Sequence, residues 1–409
     1  MYLFEIEMSV KYCIESYYFG TPKHFLRSED GYSWTSRIPS DAWILSSRSD
    51  KTKSRSLLEL LKLEDRQLPQ LPVQYTDMML HIVTGSNINI PWQHVLPRQV
   101  YENYFKNTIK VIEESFSELP CDYYNNAWSA GSDVLAALKP AKIDVEKWHS
   151  FLESSAVNAS VLSSFKPDPR GYADTPVYNR FGTRTGRLTI AAGPNILTLK
   201  REHRAIIQTS FKSGSICSLD FRALEPRIVL AEAGRSSDAE DIYGEIAEKI
   251  FGDRQNRDAV KVAIISELYG AAKESLRARL GITQKKIDAF VKGINDYFDL
   301  SSLRSRLETE TTGGKIRNRH GRSLAVDPEA KNLLINTYVQ STGVDVSLSG
   351  FKCVLDSLGA DGIRPLYVLH DALILDVHPD RLDDVAKINK IKVPGYDQAF
   401  PLKIEEISR

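Results

Sequence analysis

Two short apolar segments in the second half of the chain have the length and pattern of strands, and each contains an acid. Residues 215–221, S-I-C-S-L-D-F, place apolar side chains at nearly strand spacing around Asp220, a carboxylate that is costly to bury without a partner. Glu225 follows five residues later, directly before Pro226, which suits the first turn of a helix because its missing N–H would be unbonded there. The pattern predicts a strand, a short turn and a new helix, with a carboxylate at the strand end and another in the first helical turn.

The second segment, residues 365–377 (P-L-Y-V-L-H-D-A-L-I-L-D-V), consists of two apolar runs separated by His370 and Asp371. Period-2 alternation around a central polar pair predicts a β-hairpin whose turn holds Asp371 at its tip. A buried, hydrogen-bonded His–Asp pair is an equally good interpretation of these two residues taken alone.

Apolar residues recur at helical spacing in other parts of the chain. Residues 97–120 and 144–165 each carry an apolar stripe, and the loop-rich segment between them predicts an antiparallel helix pair. Residues 241–252 predict an amphipathic helix that ends at a glycine. An ordinary helical core is the simplest interpretation of these stripes.

Residues 257–270 predict a helix with an unusual face. Steps of four residues overshoot a helical turn by about 40°, so they place four side chains on one slanted stripe. Two cations, an apolar residue and a tyrosine suit a surface that meets a triphosphate at one end and a base or sugar at the other. Solvated surface charge is the alternative for this helix alone. The four residues are Arg257, Lys261, Ile265 and Tyr269.

Two further segments carry polar patterns of interest. Residues 311–322 contain four basic residues, no acid and several glycines suited to positive φ, which predicts a basic hairpin or loop. A helix that starts near residue 333 places the amides of Asn336 and Gln340 on one face. Uncharged amides can read bases, although two amides on a helix are more often ordinary surface residues.

Composition narrows the class of protein. The 409 residues are long for one core and predict two to three domains, and 42% hydrophobic with 26% charged residues is typical of a globular protein. No apolar run reaches the eighteen residues of a membrane span, and the acids near Met1 argue against a signal peptide. The four scattered cysteines predict reduced thiols rather than disulfides or a zinc site.

Charge is balanced overall but segregated along the chain. The formal net charge is zero, whereas residues 166–227 contain eleven Lys and Arg against five Asp and Glu, a net of +6. Such a segment suits phosphate binding, although a single basic run is more often a solvated face.

These features together predict phosphoryl transfer from a nucleoside triphosphate to a hydroxyl. Asp220 and Asp371 on strand ends could hold two Mg²⁺ ions about 3.5–4 Å apart, one activating the attacking oxygen and one stabilising the leaving group. Mg²⁺ prefers oxygen ligands and takes few of them from the protein. Arg257 and Lys261 would neutralise the charge of the triphosphate and of departing pyrophosphate.

With these motifs the chain resembles a family A DNA polymerase, the family of bacterial DNA polymerase I and many phage replicases. It resembles a short form of that family, with no recognisable exonuclease domain. The resemblance covers roughly residues 180–405 and rests on several motifs in order. The motifs are Thr185-Gly186-Arg187 with Pro194-Asn195, D-F-R-A-L-E-P-R from Asp220 to Arg227, R-x-x-x-K with a later Y-G from Arg257 to Gly270, Asn336 with Gln340, and His370-Asp371.

The resemblance implies a role for each motif residue. Asp220 and Asp371 would bind the metal ions with help from the Phe221 carbonyl, and Mn²⁺ could replace Mg²⁺. Glu225 would exclude a 2′-hydroxyl, and Lys261 would also act as general acid toward pyrophosphate. The incoming nucleotide would contact Arg257, Lys261, Glu225, Tyr269, Ile265 and Phe221. The primer terminus, the minor groove and the template position would contact Arg187, Asn336, Gln340, His370 and Gly270.

The fold that the resemblance implies is α+β, a right hand with an antiparallel palm sheet, helical fingers and a shortened helical thumb. Palm residues would be 166–240 and 331–409, fingers 241–330 and the thumb-like, DNA-gripping helices 96–165. Residues 1–95 would form a domain of unknown role, open to a processivity or replisome partner. The faint acidic pair of Glu5 and Glu7 is better explained as solvent-facing than as part of an exonuclease.

Three positions depart from the family pattern. Ile265 stands where an aromatic residue usually meets the sugar, which leaves dideoxynucleotide discrimination open. Ala372 replaces an acid that usually follows His-Asp, and Asn332 replaces a usual Arg.

The expected protein is therefore a template-directed DNA polymerase without proofreading, which uses a primed DNA template and dNTPs in the cytoplasm of a bacterial or phage-infected cell, with no membrane association. A single-subunit RNA polymerase is the first alternative, which Glu225 disfavours because that family needs a small residue there. A DNA-binding accessory subunit that has lost catalysis is the second.

Overall fold

The computed structural model describes residues 11–28, 30–39, 42–46, 56–61, 68–77, 91–117, 119, 121–154, 159–237, 239–252, 254, 257–270, 273–281, 283–327 and 329–408. The chain divides into two compact units, an N-terminal unit of residues 1–121 and a C-terminal unit of residues 122–409. Within the described ranges, no helix combines the length and apolar character needed to cross a membrane. The pair Glu5 and Glu7 lies outside the described residues.

The N-terminal unit contains a small four-stranded sheet beside the predicted helix of residues 97–120. The strands lie in the order Gly31–Thr35, His24–Ser28, Tyr12–Ile14 and Trp43–Leu45, of which the last pair is parallel. The rings of Tyr12 and Phe116 stack at 5.4 Å and those of Phe19 and Phe105 lie 4.5 Å apart, so apolar residues of the helix stripe pack against the sheet. Its helices are Ser16–Phe19, Leu57–Leu61, Trp92–His94 and Arg98–Ser117.

The connection between the two predicted helical segments is mostly helical, which corrects the expectation of a loop-rich segment. Residues 121–137 form a continuous helical path whose middle turn, Tyr124–Trp128, is a π-helix. The strand Ala141–Ile143 follows and pairs with Tyr172–Ala173 and Ile207–Gln208. Small and aromatic residues in this segment pack into the core without a long periodic stripe, which is why the pattern concealed the helix.

The C-terminal unit is built around a five-stranded antiparallel sheet. Its strands lie in the order Ile363–Leu369, Ala372–Val377, Ser215–Phe221, Ala399–Ser408 and Lys390–Lys392. We call Ser215–Phe221 the central strand and residues 363–377 the tip hairpin. The predicted strand, the predicted hairpin and the antiparallel sheet are confirmed.

Helices cover this sheet and continue beyond it. The helix Leu334–Leu358, named here the long helix, is buried along most of its length, and Phe221 of the sheet packs against its Phe351 with ring centroids 5.5 Å apart. The helix Arg257–Leu268 is named here the cationic helix. The other helices are Ser129–Ala137, Val145–Ser154, Ala159–Ser163, Arg201–Ile206, Leu224–Glu232, Ile242–Phe251, Lys273–Leu280, Gln284–Phe298, Leu300–Glu310, Lys331–Leu333, Pro379–Arg381 and Leu382–Ala386.

Two small hairpins complete the C-terminal unit. The basic segment forms the hairpin Lys315–Arg317 with Ser323–Ala325, called here the basic hairpin, and the strands Val177–Asn179 and Thr189–Ala192 flank the loop that carries Arg187. Gly313 and Gly314 both have positive φ at the start of the basic hairpin, which fits the glycine-based prediction of a hairpin there.

Candidate active site

The sheet brings Asp220 and Asp371 together although 151 positions separate them in the chain. Asp220 lies near the end of the central strand, directly opposite Ala372 of the tip hairpin. The amide of the next residue, Phe221, donates a hydrogen bond of 3.1 Å to the main-chain carbonyl of Asp371. The two acids are therefore adjacent at the ends of neighbouring strands, as the strand and hairpin patterns together predicted.

The backbone beside each of these acids is unusual. His370, an exposed residue in the hairpin turn, has φ 55°, and Ala223, between Asp220 and Glu225, has φ 51°. Left-handed conformations of residues other than glycine are uncommon and concentrate at functional sites. His370 directly precedes Asp371 in the hairpin turn, and Ala223 directly precedes the helix that carries Glu225.

Burial disfavours the ionised form of both acids, and the charge of Asp371 adds to this effect at Asp220. The pKa of Asp220 is raised to about 7, chiefly by burial and further by the charges of Asp371 and Glu405, while Lys403 and Lys261 oppose the rise. Burial also raises the pKa of Asp371. A partly buried carboxylate whose ionisation is disfavoured by burial and by a neighbouring acid is suited to a bound cation.

A third strand contributes charged residues that sequence reasoning missed. In the strand Ala399–Ser408, Lys403 lies opposite Asp220 and Glu405 lies opposite Ser218. Glu405 forms ion pairs with Lys403 and, at 3.3 Å, with Arg201. The only signal in the sequence was the alternation of these two charges in a C-terminal strand, which gave no indication of the neighbouring strand.

The donor set fits a hard divalent cation with few protein ligands. Across the described parts of the chain, no group of three or more His, Cys, Asp or Glu side chains is arranged to hold a metal ion, so Asp220 and Asp371 stand as a pair. Magnesium usually completes its coordination with water and substrate oxygens. The Phe221 ring is buried between Phe351 and Phe400, so only the main chain of Phe221 can face the carboxylates.

The cationic helix presents Arg257 and Lys261 on the side of Tyr243. Both cations lie over the Tyr243 ring, at 5.7 and 5.8 Å from its centroid. Arg257 is held by Asp241 through a 2.8 Å hydrogen bond. Lys261 is exposed, has no ion pair among the described residues, and is close enough to Asp220 to lower the pKa of that acid. A free cation beside the two acids suits an anionic substrate.

Glu225 is engaged by two other predicted site residues. Arg187 Nη2 donates to Glu225 Oε1 at 3.2 Å, and the Tyr269 hydroxyl donates to the same oxygen at 3.4 Å. Burial raises the pKa of Glu225, and the charge of Arg187 opposes this. Residues from a loop and from the end of the cationic helix therefore meet at one carboxylate on the helix Leu224–Glu232. Ile265 lies one helical turn before Tyr269 on the same stripe, half-buried.

The end of the cationic helix contacts the short helix Lys331–Leu333, which directly precedes the long helix. Gly270 has φ 68°, and a Cβ added there would lie 2.5 Å from the main-chain oxygen of Asn332. The Asn332 side chain in turn donates a 3.2 Å hydrogen bond to the Gly270 carbonyl. Asn332, a departure from the family pattern, thus joins two helices here.

Asn336 and Gln340 lie one helical turn apart near the start of the long helix, both partly exposed. The buried Oδ1 of Asn336 has no hydrogen-bond partner in the described part of the chain. An unpaired buried acceptor is costly to the fold.

Comparison with known proteins assigns the family. The model of DNA polymerase family A matches residues 101–405, about three quarters of the chain. The chain belongs to DNA polymerase family A. The matched range contains both acids, the cationic helix and the loop that carries Arg187.

Relatives of this family A chain include the thermostable DNA polymerase I of Thermus aquaticus, 27% identical over 312 residues that cover 68% of this chain and 37% of the relative. DNA polymerase I of Lactococcus lactis is 24% identical over a match that covers 68% of this chain and 36% of the relative. The chain therefore spans a little over a third of the length of these relatives.

A solved structure shows the fold. The POL domain of Pol1 from M. smegmatis, solved in complex with DNA primer-template and dNTP, is similar with a TM-score of 0.56 and 13% identity, covering 98% of this chain and 95% of that one. The predicted α+β right-hand polymerase fold is confirmed.

Proposed function

We propose that this family A chain is a template-directed DNA polymerase that adds deoxynucleotides to a primer 3′-hydroxyl and releases pyrophosphate. The observation that carries the proposal is the adjacency of Asp220 and Asp371 at the ends of neighbouring strands, within electrostatic reach of Lys261. Two acids and a nearby exposed cation suit a reaction in which negative charge develops on a phosphoryl group and its leaving group.

Asp220 and Asp371, with the main-chain carbonyl of Phe221, would hold two Mg²⁺ ions, or Mn²⁺ in their place. Family A polymerases generally use divalent metals, and the repulsion between the two carboxylates supports cation binding here. Bound there, the cations would supply Lewis-acid charge to the attacking primer oxygen and to the leaving pyrophosphate.

Arg257 and Lys261 would bind the triphosphate of the incoming dNTP. Their shared position over Tyr243 supports this role, because it holds both cations on the exposed side of the helix. Arg257 would exchange its contact with Asp241 for phosphate oxygens, whereas Lys261 has no ion pair among the described residues to give up. Lys261 would also donate a proton to departing pyrophosphate.

Glu225 would exclude the 2′-hydroxyl of a ribonucleotide, with Ile265 and Tyr269 lining the same side of the nucleotide. The contacts from Arg187 and Tyr269 support this role, because they hold the carboxylate in one orientation beside the acids. Primed DNA would run along residues of the long helix and the two turns near the acids. These residues are Arg187, Gly270, Asn336, Gln340 and His370.

The division into parts is proposed on the same basis: palm 166–240 and 331–409, fingers 241–330 and a thumb-like region 96–165. A short thumb predicts low processivity unless a partner binds, for which residues 1–95 are the proposed region. Product lengths measured after a single encounter with primed DNA, in the presence of a DNA trap, test this expectation.

Primer extension on a primed template tests the proposed function. We expect extension with dNTPs and Mg²⁺, far less with NTPs, and an intact primer when no nucleotide is added, which would also indicate that the chain does not proofread. Asp220→Asn and Asp371→Asn should each lower the extension rate at least about a hundredfold while DNA binding persists. Asp356→Asn, at an exposed site on the long helix, is the matched control.

Each alternative predicts a different outcome. Equal extension with NTPs and dNTPs would identify an RNA polymerase-like enzyme. Binding of the primer without extension by any nucleotide would identify an accessory subunit. Ala372→Glu, which restores the acid usual in the family, would then be the first variant to test for activity.

A further inference from the structure

Arg322 and Asp345 form an ion pair in the interior of the C-terminal unit. Their side chains are only 10% and 0% exposed. Arg322 Nη2 donates to Oδ1 of the acid at 2.8 Å, and Nε donates to Oδ2 at 3.2 Å. A two-point contact of this kind fixes the plane of the guanidinium as well as its charge. Arg322 begins the second half of the basic hairpin and Asp345 lies on the long helix, so the pair joins these two elements.

Neighbouring polar groups leave the pair no freedom to rotate. Asn318 Nδ2 donates to Asp345 Oδ2 at 2.7 Å, and the Tyr123 hydroxyl donates to Oδ1 at 3.2 Å. The Oδ1 of Asn318 accepts a hydrogen bond of 2.9 Å from the amide of Arg322. The carboxylate is therefore fully bonded, and the guanidinium presents its remaining nitrogen, Nη1, in one direction.

That direction is toward Gly186. A Cβ added to Gly186, whose φ is 78°, would lie 1.6 Å from Arg322 Nη1. The guanidinium thus occupies the space that a side chain would take. The turn above it is closed by the Gly186 amide, which donates to the Thr183 carbonyl at 3.1 Å, and by Thr183 Oγ1, which donates to the Arg187 carbonyl at 3.0 Å. The turn of residues 183–187 therefore contacts Arg322 at Gly186.

The other end of this loop is anchored by a second buried arginine. Arg180 Nη1 donates to the Trp128 carbonyl at 2.7 Å and to Ser132 Oγ at 3.0 Å, and its guanidinium carbon lies 3.5 Å from the centroid of the Trp128 ring. The same ring lies 5.9 Å from the guanidinium of Arg322. The loop that ends at Arg187 is thus held on both sides by the same small group of side chains.

Arg187 itself is half-exposed, and it reaches Glu225 through one nitrogen at 3.2 Å. The direction in which the Arg187 side chain approaches Glu225 depends on the position of the backbone that carries it. We propose that the Arg322–Asp345 pair is a positioning pair that holds Arg187 against Glu225 and thereby sets the selection of deoxy- over ribonucleotides. This inference rests on the proposed polymerase function.

Stability alone does not explain a buried pair of this kind. Replacing a buried ion pair by apolar residues of similar size is often neutral or stabilising, because the desolvation of both charges is avoided. What apolar residues cannot supply is a rigid nitrogen at one point under Gly186. The double variant Arg322→Met/Asp345→Leu therefore separates the two roles, since it removes the guanidinium without leaving a lone buried charge.

The experiment is a double-mutant cycle between this pair and Arg187, read as the ratio of kcat/KM for a dNTP to that for the matching NTP. In the wild-type background, we expect Arg322→Met/Asp345→Leu to lower this ratio about tenfold, as expected when a substrate-positioning group is misplaced. In the Arg187→Ala background the same double change should alter it less than about twofold, because the group that the pair positions is already absent.

The control is Lys352→Met/Asp356→Leu, which removes an exposed ion pair from the same long helix and should leave the ratio unchanged in both backgrounds. Melting temperatures of all variants establish that each one folds. If the buried double variant does not fold, Arg322→Lys replaces it, because lysine keeps the positive charge but lacks the planar guanidinium with its two terminal nitrogens. The same loss of sugar selection is expected for it.

Equal losses in both backgrounds, or a wild-type ratio in the folded double variant or in Arg322→Lys, would overturn the inference. The outcome is separable from a failure of the proposed function. A wild-type chain that extends no primer contradicts the polymerase assignment, whereas a working polymerase whose sugar selection ignores Arg322 contradicts the positioning role alone.

Discussion

At the scale of single residues, Asp220 is the acid of the site whose pKa is shifted most strongly. Its pKa is raised to about 7, so the folded state retains a proton that an unfolded chain releases near pH 4. A raised carboxyl pKa means that folding stability is highest below the unfolded pKa and falls as the pH rises toward 7. Without metal ions, the charge of Asp220 therefore destabilises the fold at neutral and alkaline pH.

We expect Asp220→Asn to melt at a higher temperature than the wild type at pH 8 in EDTA, by roughly 2 °C or more, with the difference vanishing near pH 4. Thermal melts at several pH values measure this. The exposed Asp356→Asn should show no such dependence. A difference between Asp220→Asn and wild type that grows as the pH falls would contradict the assigned pKa.

Glu225 supports a second prediction at this scale, which separates the role of its carboxylate from that of its partner Tyr269 in sugar selection. Truncation in Glu225→Ala opens the space beside the sugar, and we expect NTP incorporation relative to dNTP to rise at least about tenfold. Tyr269→Phe removes only a hydroxyl whose hydrogen bond to Glu225 is long, 3.4 Å, and should change the ratio less than about threefold. Single-nucleotide incorporation kinetics compare the two. A larger effect for Tyr269→Phe would assign the sugar contact to the tyrosine.

At the scale of secondary-structure elements, the chain offers a matched pair of glycines at helix ends. Gly252 and Gly270 follow consecutive helices with φ values of 69° and 68°. A Cβ at Gly252 would meet nothing within 4 Å, whereas a Cβ at Gly270 would lie 2.5 Å from the Asn332 carbonyl oxygen. Both substitutions to alanine incur the left-handed backbone penalty of about 1 kcal/mol, and only one forces two helices apart.

Gly270→Ala should therefore lower the melting temperature more than Gly252→Ala and should also weaken dNTP binding, because it moves the end of the cationic helix. Thermal melts and the KM for dNTP test the two consequences. Equal melting temperatures for the two variants would indicate that the close approach to Asn332 is absent in solution.

At the scale of the whole molecule, zero net charge conceals a strongly basic segment. Residues 166–227 carry a net charge of +6, so binding to primed DNA should release counterions as a basic protein does. With about six phosphate contacts, affinity should fall roughly a thousandfold between 50 and 200 mM salt. Fluorescence anisotropy with labelled primer-template measures the slope. A salt-independent affinity would contradict a phosphate-binding role for this segment.

Local features of the polymerase site were predictable because short-range patterns encode them. Period-2 alternation gave the central strand and the tip hairpin, and spacing by four placed Arg257 and Lys261 on one helical face. Irregular turns, such as the π-helix Tyr124–Trp128, escaped prediction because no simple repeat marks them.

The sequence by itself determined the family, the antiparallel sheet, and which residues were candidates for the site. Only the tertiary structure decided that Lys403 and Glu405 lie beside Asp220, that Asn332 supports Gly270, and that Arg322 fills the space under Gly186. The physical reason is distance along the chain. Strand register and buried ion pairs join residues that are far apart in sequence, and their partners are selected by packing of the whole core rather than by any local pattern.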